Sequence, residues 1–400
     1  MLHSLQTAEG VSTVSVLGIV AEYDPFHNGH LHHLREAVAS AGSSSVIVAI
    51  SGPFKQRGDA ALFSPFMRAE CALTAGADAV FCLPVLWTVR DAEHYALGAV
   101  HLLASLGADH LAFGAETADL ALLQETAALL EEQPVGMQEA LRALLSGGCG
   151  YPAALARAAG MYLPESGPVL EHPNNILAVC YIRAIRRLGL SMVPVVIPRS
   201  GAYHADQILP HAPSASALRD AFSRGSWNDS LSALPPSSRE LVKNAILSGC
   251  IPDQKKLDTL LLDKLRSMTA AEAALLPDCP EGLDRALLSA ASEVSSRKEL
   301  ILRLTSRRYP TSRISRLCTY ALLGITNRQL KETRLPDHAL LLALKKDPSL
   351  TGLWKTCPVR ISGASDWLNA AEPADRFAWR IWTLASGLSG SFPYTQKIIS

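Results

Sequence analysis

Four histidines crowd seven residues near the N-terminus: His27, His30, His32 and His33, with Gly29 completing the pattern H-x-G-H. Imidazoles three apart span the first turn of a helix and can face one ligand. They donate hydrogen bonds to phosphate oxygens and oppose the charge that builds on an α-phosphate under attack. The pattern alone is short, and two other readings stay open: a metal cluster, or surface histidines without a ligand. Zinc is the weaker of these, since no cysteine lies nearby.

The elements around the motif favour the phosphate reading. Val14–Val20 is apolar and β-branched, the pattern of a buried strand. Val20, Ala21, Glu22, Tyr23, Asp24, Pro25 and Phe26 lead out of it through a turn. Asn28, Gly29 and Leu31, with the histidines, open a helix over His30–Ala41. The histidines therefore stand at the carboxyl edge of a parallel strand, where open α/β sheets take ligands. Gly29 admits close backbone approach, and the helix start offers free N–H groups to an anion. Ser45–Ile50, Asp78–Leu83 and Asp109–Phe113 read as further strands, separated by helices at Pro65–Ala75 and Ala92–Leu106. This alternation means right-handed βαβ units and a parallel sheet covered on both faces. Residues 119–190 read mostly helical. Ser191–Ile197 returns to strand, at an edge because of Pro194. From Ser214 the pattern is helical to about residue 350, with the domain change expected near 235–250.

At 400 residues the chain has room for two or three domains. It is 48% hydrophobic and 18% charged, which excludes a disordered chain. The 37 basic and 37 acidic residues cancel, so a nucleic acid would be met by a local patch. Apolar runs such as Ala79–Leu83 and Val193–Ile197 are strand-length, so no membrane span is expected. The N-terminus lacks a basic region followed by an apolar core, so no signal peptide is expected, and the cytoplasm is the expected location. The eight cysteines are scattered without C-x-x-C, and read as reduced, small apolar residues rather than metal ligands.

The segment Gly18–His33, GIVAEYDPFHNGHLHH, resembles the signature of the tRNA(Met) cytidine acetate ligase family, a branch of the HIGH-type nucleotidyltransferases. Further pieces follow in family order. Ser51–Gly58 (SGPFKQRG) resembles SGNFxQRG, and Arg68-Ala69 comes next. Phe113–Glu116 resembles FGSE, Tyr151–Ala153 YPxA, Pro173–Leu177 PNNIL, and Ser214–Arg219 SATAIR. The likeness is strong over about residues 14–220 and weaker through Arg307–Gly324. Asp24 and Pro53 stand where asparagine is usual, and Arg199–Asp206 departs from RxGAGYHD. The resemblance implies an α/β, Rossmann-like parallel-sheet nucleotidyltransferase core over 14–240 and a mainly helical, tRNA-facing domain over 241–400. It implies that ATP, with Mg2+, and acetate form acetyl-adenylate, and that the acetyl group passes to N4 of the wobble cytidine of elongator tRNA(Met). The alternatives are adenylyl transfer to a small phosphorylated metabolite, and a non-catalytic nucleotide- or RNA-binding protein. No motif fixes the oligomeric state.

Other residues take roles around this pocket, each beside a plainer one. Arg57, in the loop after the second strand, suits a phosphate or carboxylate clamp, or is a solvated loop arginine. Gly114 lets a base or ribose lie on backbone, or simply ends a strand. Of Asn174 and Asn175, one is expected as a helix N-cap, leaving the other amide for a ligand. Arg199 is a further nucleotide cation. Ser214, Ser216 and Arg219 at a helix start suit pyrophosphate, or an ordinary serine cap. Arg183, Arg186 and Arg187 read as a solvated face more than an RNA contact. Arg303, Arg307, Arg308, Arg313 and Arg316, with Tyr309 interleaved, are the best local patch for tRNA phosphates.

Overall fold

A computed structural model of the chain describes residues 15–199, 214–225, 227–364, 366–367, 371–388 and 397–399. Five parallel strands carry the N-terminal part: β1 (Val16–Ala21), β2 (Ser45–Ser51), β3 (Ala79–Leu83), β4 (His110–Ala115) and β5 (Val193–Pro198). Their residues alternate between two buried faces. Val16, Ile47, Ala49, Phe81, Leu111 and Phe113 point one way, beneath helices Ala92–Ser105 and Pro173–Arg187. Leu17, Ile19, Val46, Val48, Val80 and Ala112 point the other, beneath helices Asn28–Ala41 and Pro65–Ala75. Burial on both faces explains why the centres of β1 to β4 are apolar runs, while the edge strand β5 is only partly covered.

The strand order is β5-β4-β1-β2-β3, continued by strands from the C-terminal third. The chain steps outward from β1 to β3 and then returns to β4 on β1's other side. The carboxyl end of β1 therefore opens on the topological switch point. Pro194 lies in β5, the outermost strand on that side, as expected.

The expectation of helix to about residue 350 fails at His338–Lys345. This segment is β6, antiparallel to β3, with β7 (Arg360–Ser362) and β8 (Lys397–Ile399) parallel to it. Its Leu and Ala residues favour helix locally. Docking against the open edge of β3 buries Ala339 to Leu344 and pairs their backbone, and that tertiary gain outweighs propensity. Helices Gln254–Ser267, Leu283–Glu293, Arg297–Leu304 and Thr311–Leu323 enclose a second core around Leu261, Leu287, Leu300 and Leu317. Phe54, Val85 and Val89, from the loops after β2 and β3, are built into it. The Trp382 indole, on helix Pro373–Ala385, donates to the Ala61 carbonyl at 2.7 Å.

One side chain gathers the strand ends. Arg68 is fully buried on helix Pro65–Ala75. Its Nε donates to the Phe63 carbonyl at 3.0 Å, and Nη2 to the carbonyls of Ser51 at 2.9 Å and Gly52 at 2.6 Å. Nη1 donates to the Glu22 carbonyl and the Ser51 hydroxyl. Arg68→Met is expected to leave these acceptors dry and to lower stability by about 3–5 kcal/mol in denaturant unfolding. An unchanged unfolding midpoint would show that the guanidinium is not a structural tie.

Candidate active site

His27 is the N-cap of helix Asn28–Ala41. Its backbone is extended, and its Nδ1 accepts the His30 N–H at 3.3 Å. The Nδ1 of His30 in turn accepts the His27 N–H, also at 3.3 Å. This is a capping box in which imidazoles replace the usual hydroxyl and carboxylate. The two rings stack, with centroids 3.6 Å apart and planes 15° from parallel. A nitrogen that accepts carries no proton, so each neutral ring bears its hydrogen on Nε2. A Cβ at Gly29 would sit 3.1 Å from the His27 ring, so glycine is what lets that ring fold over the helix start. Tyr23 and Phe26 pack behind His30 at 4.9 and 5.8 Å between ring centroids. The His30 ring also bonds the Pro25 carbonyl.

Burial dominates the electrostatics. It lowers the pKa of His27 to about 3 and that of His33 to about 4, with Arg199 reinforcing both. It also lowers His30 well below its ordinary value, helped by its stacked neighbour His27. At neutral pH these rings are therefore uncharged donors. Positive charge enters from Arg199 and Arg219, the two cations that bear on His27.

Toward β4 and β5, Gly114 makes room for two groups. A Cβ there would meet Arg199 Cγ at 3.0 Å and His33 Cδ2 at 3.7 Å. Arg199 Nη1 donates to Asn174 Oδ1 at 3.1 Å. Glu116 holds the Asn174 amide at 2.5 Å and the Asn175 N–H at 2.9 Å. The expected asparagine cap is not found: His172 is the N-cap of helix Pro173–Arg187. Asn175 is instead buried and latches Thr117 just past β4, accepting from its N–H at 2.9 Å. The asparagines thus fasten the exit of β4, a task an isolated cap would not perform. The Nε2 of His33 is buried without a partner among the described residues, beside Gly114 and Arg199. A buried polar atom of this kind is satisfied when a ligand brings a partner.

Toward β2, the Asp24 carboxylate is buried. It accepts the N–H groups of Leu62 and Phe63 at 3.0 Å each and pairs with buried Lys55 at 3.2 Å. Burial raises its pKa, but Lys55, Arg219 and Arg68 outweigh that and hold it below its ordinary value. The aspartate found where the family resemblance has asparagine is thus balanced by a lysine. Arg219 Nη1 donates to the Asp24 carbonyl at 2.7 Å, which places helix Ala215–Ser223 against the histidine loop. Ser214 caps that helix, accepting from Ala217 N at 3.1 Å, and Ser216 lies 3.0 Å from its hydroxyl. The Asn28 N–H donates to the Ala233 carbonyl at 2.9 Å and the His30 N–H to His27. The start of the Asn28 helix therefore offers fewer free amides than expected, and Gly29 alone among its first three has no acceptor among the described residues.

Several expected residues stand apart. His32 is exposed and faces Glu36 one turn on, away from the stacked pair. Val20, Ala21, Tyr23, Phe26 and Leu31 turn their side chains into the core, and Pro25 is buried, so a ligand meets their backbone. Glu22 accepts the Gln56 N–H at 3.0 Å. Arg57 is exposed, with its carbonyl bonded by the Ser315 hydroxyl, and the cations beside His27 are others. Next to it, Gly58 has φ +89°, and a Cβ there would lie 2.8 Å from the Ser315 carbonyl. Residues 200–206 lie outside the described residues. Lys55, Arg68 and Glu116 were not singled out as site residues. A signal for Lys55 lies in the sequence as a cation in the loop after β2, with Asp24 where asparagine is usual.

The arginine clusters sort by partner. Arg183 and Arg187 interlock with Glu93 and Glu131, an ion-pair network between three helices rather than a phosphate contact. Arg303 pairs with Glu293, Arg313 donates to the Asp278 carbonyl at 2.9 Å, and buried Arg316 lies 3.7 Å from the Asp278 carboxylate. Arg307 and Arg308 remain exposed, and the guanidiniums of Arg308 and Arg313 approach the Tyr309 ring at 5.5 and 5.3 Å. Among the described residues no three His, Cys, Asp or Glu side chains converge as metal ligands, and no helix is long and apolar enough to cross a membrane.

Residues 14–350 match the HIGH Nucleotidyl Transferase family model. A tRNA(Met) cytidine acetate ligase of Acetivibrio thermocellus is 33% identical over 391 residues, covering 94% of each chain. One from Syntrophotalea carbinolica is 37% identical over 317 residues, covering 76% of this chain and 73% of that protein. The crystal structure of apo Thermotoga maritima TmcAL superposes with a TM-score of 0.89 at 27% identity, over 96% of this chain and 99% of that one. The same protein bound with alpha-thio ATP gives a TM-score of 0.84 at 26% identity, with the same coverage.

The buried imidazoles carry a pH signature. Unfolded histidine takes up a proton below about pH 6.5, while His27 and His33 stay neutral in the fold down to about 3 and 4. Their stabilisation is therefore complete above pH 6.5 and declines as pH falls, by about 1.4 kcal/mol per pH unit for each ring. His27→Asn keeps a capping side chain and is expected to flatten the stability–pH curve between pH 6 and 4. A variant curve parallel to the wild type would refute the depressed pKa.

Proposed function

The chain belongs to the tRNA(Met) cytidine acetate ligase family of HIGH nucleotidyltransferases, and from that premise we propose that it joins acetate to the wobble cytidine of elongator tRNA(Met) with cleavage of ATP. The observation that carries the reading is the stacked pair His27 and His30, neutral, at the switch point, with Arg199 and Arg219 on either side. ATP lies along the carboxyl end of β1. Its adenosine rests toward Gly114, Asn174 and Arg199, and its phosphates face His27, the Gly29 N–H and Arg219. A carboxylate oxygen of acetate attacks the α-phosphorus in line, and the bond to pyrophosphate breaks. The His27 Nε2–H, the Gly29 N–H and Arg219 stabilise the added charge, while His30, whose own hydrogen goes to the Pro25 carbonyl, holds the His27 ring in place. In the second step the exocyclic N4 attacks the acetyl carbon. The carbon–oxygen bond to the adenylate breaks, AMP leaves, and the N4 proton goes to solvent.

Mg2+ would travel with the triphosphate, since the described residues supply no carboxylate set to hold it. We assign nucleotide and acetate to residues 14–240 and the tRNA to 241–400, where exposed Arg307 and Arg308 offer the phosphate contacts. The enzyme would work in the cytoplasm, with its tRNA.

His27→Ala is expected to abolish acetate-dependent ATP–pyrophosphate exchange. Methionine tRNA from a deletion strain is expected to lack N4-acetylcytidine by mass spectrometry, and its persistence without a second enzyme would defeat the assignment. Arg307→Glu with Arg308→Glu should weaken tRNA binding about tenfold or more in moderate salt, and flatten its salt dependence, while leaving exchange intact. An unchanged tRNA affinity would clear these arginines.

A further inference from the structure

A cavity of about 270 Å³ opens on the β2 side of the histidine loop, between the loop of residues 54–62 and the C-terminal helices. Phe54, Leu257 and Leu322 give it apolar walls, and Asp59, Gln254 and Arg297 polar ones. We propose that this cavity receives the acceptor pyrimidine, unstacked from the RNA, and that Asp59 selects cytosine by accepting a hydrogen bond from its exocyclic amine. The inference rests on the acyl-transfer reading above and names the acceptor pocket and a specificity residue for it.

Position is the first support. The groups assigned to the nucleotide, Gly114, Asn174 and Arg199, lie on the β4–β5 side of β1, and the cavity lies on the other. Arg219 joins the two regions: it lines the cavity, donates to the Asp24 carbonyl, and bears electrostatically on both His27 and Asp59. A base held here is beside the adenylate and not in its place. Enzymes that modify a base take it out of the stack into a fitted pocket, and this one is far too large for acetate alone.

Chemistry is the second. Asp59 Oδ1 accepts from Arg297 Nη1 at 2.8 Å. Its Oδ2 has no hydrogen-bond partner among the described residues, and its side chain is about half exposed. Arg297 Nη2 is fixed by the Gly58 and Ser315 carbonyls, both at 3.1 Å, so the pair cannot swing freely. Burial raises the Asp59 pKa, but Arg297 and Lys55 outweigh it and hold it below the ordinary value. An ionised acceptor next to a donor complements the amine and ring nitrogen of cytosine, and aspartate is a known partner of cytosine N4. Uracil would turn a carbonyl oxygen toward the same carboxylate. The unpaired, like-signed contact rejects it.

The test separates the two half-reactions. Gln254→Trp, at an exposed position on the rim, obstructs the cavity, and Asp59→Asn changes the acceptor. Three measurements apply: acetate-dependent ATP–pyrophosphate exchange without RNA, acetyl transfer to a methionine anticodon stem-loop, and fluorescence of pyrrolocytosine at the wobble position of that stem-loop on binding. Both variants should keep exchange within about twofold, while transfer falls by about tenfold or more and the fluorescence change is lost. Wild-type transfer by Gln254→Trp would overturn the pocket, as would exchange falling in step with transfer in both variants. If the unaltered protein shows no acetate-dependent exchange, the acetate reading fails instead, and the fluorescence change with its loss in the variants still decides the pocket.

Discussion

A buried guanidinium holds the ligand edge of this protein together. Arg68 bonds carbonyls that follow β1 and β2 and another in the loop beyond. Strand ends at the carboxyl edge of a parallel sheet run out of ladder partners, and their carbonyls would otherwise need water or a neighbour. A single planar group with five donors satisfies several at once and fixes their spacing. The histidine turn, the loop of residues 53–63 and the Asp24–Lys55 pair all hang from those anchored points. Placing the donor on a helix, and not in a loop, makes the spacing as rigid as the core that the helix packs against.

The site divides its labour between neutral and charged donors. Stacked, desolvated imidazoles hold hydrogens at fixed points but carry no charge of their own at neutral pH. The cations come from separate elements, Arg199 past β5 and Arg219 on the helix after Ser214, each pinned by a carbonyl or amide oxygen. Such an arrangement answers charge as it develops on a substrate without attracting every passing anion to the histidines themselves.

Much of this was legible in the sequence because the signals were local. Short apolar runs between helices identified β1 to β4, β-branched in β1 and β2, and Pro194 put β5 at an edge. The H-x-G-H spacing predicted a shared face for His27 and His30. The segment that became β6 escaped because Leu and Ala spell helix, and its pairing with β3 joins residues far apart in the chain. Asn174 and Asn175 escaped for a similar reason: their partners, Glu116 and Thr117, are distant in sequence, so capping was the nearest local explanation. The basic run from Arg303 to Arg316 showed charge but not the Glu293 and Asp278 groups that engage three of its five arginines. His32 has a composition indistinguishable from its neighbours, and only helical phase sends it outward.

The Asp24–Lys55 contact is lopsided in what each member can lose. With asparagine at position 24, the lysine buried at position 55 would lose its ion-pair partner at 3.2 Å and be left with the field of Asp59 alone, a costly state. With a neutral residue at position 55, the aspartate would still receive two backbone N–H groups, with Arg68 and Arg219 nearby to share its charge. The acid can outlive its base here, but the base cannot easily outlive its acid.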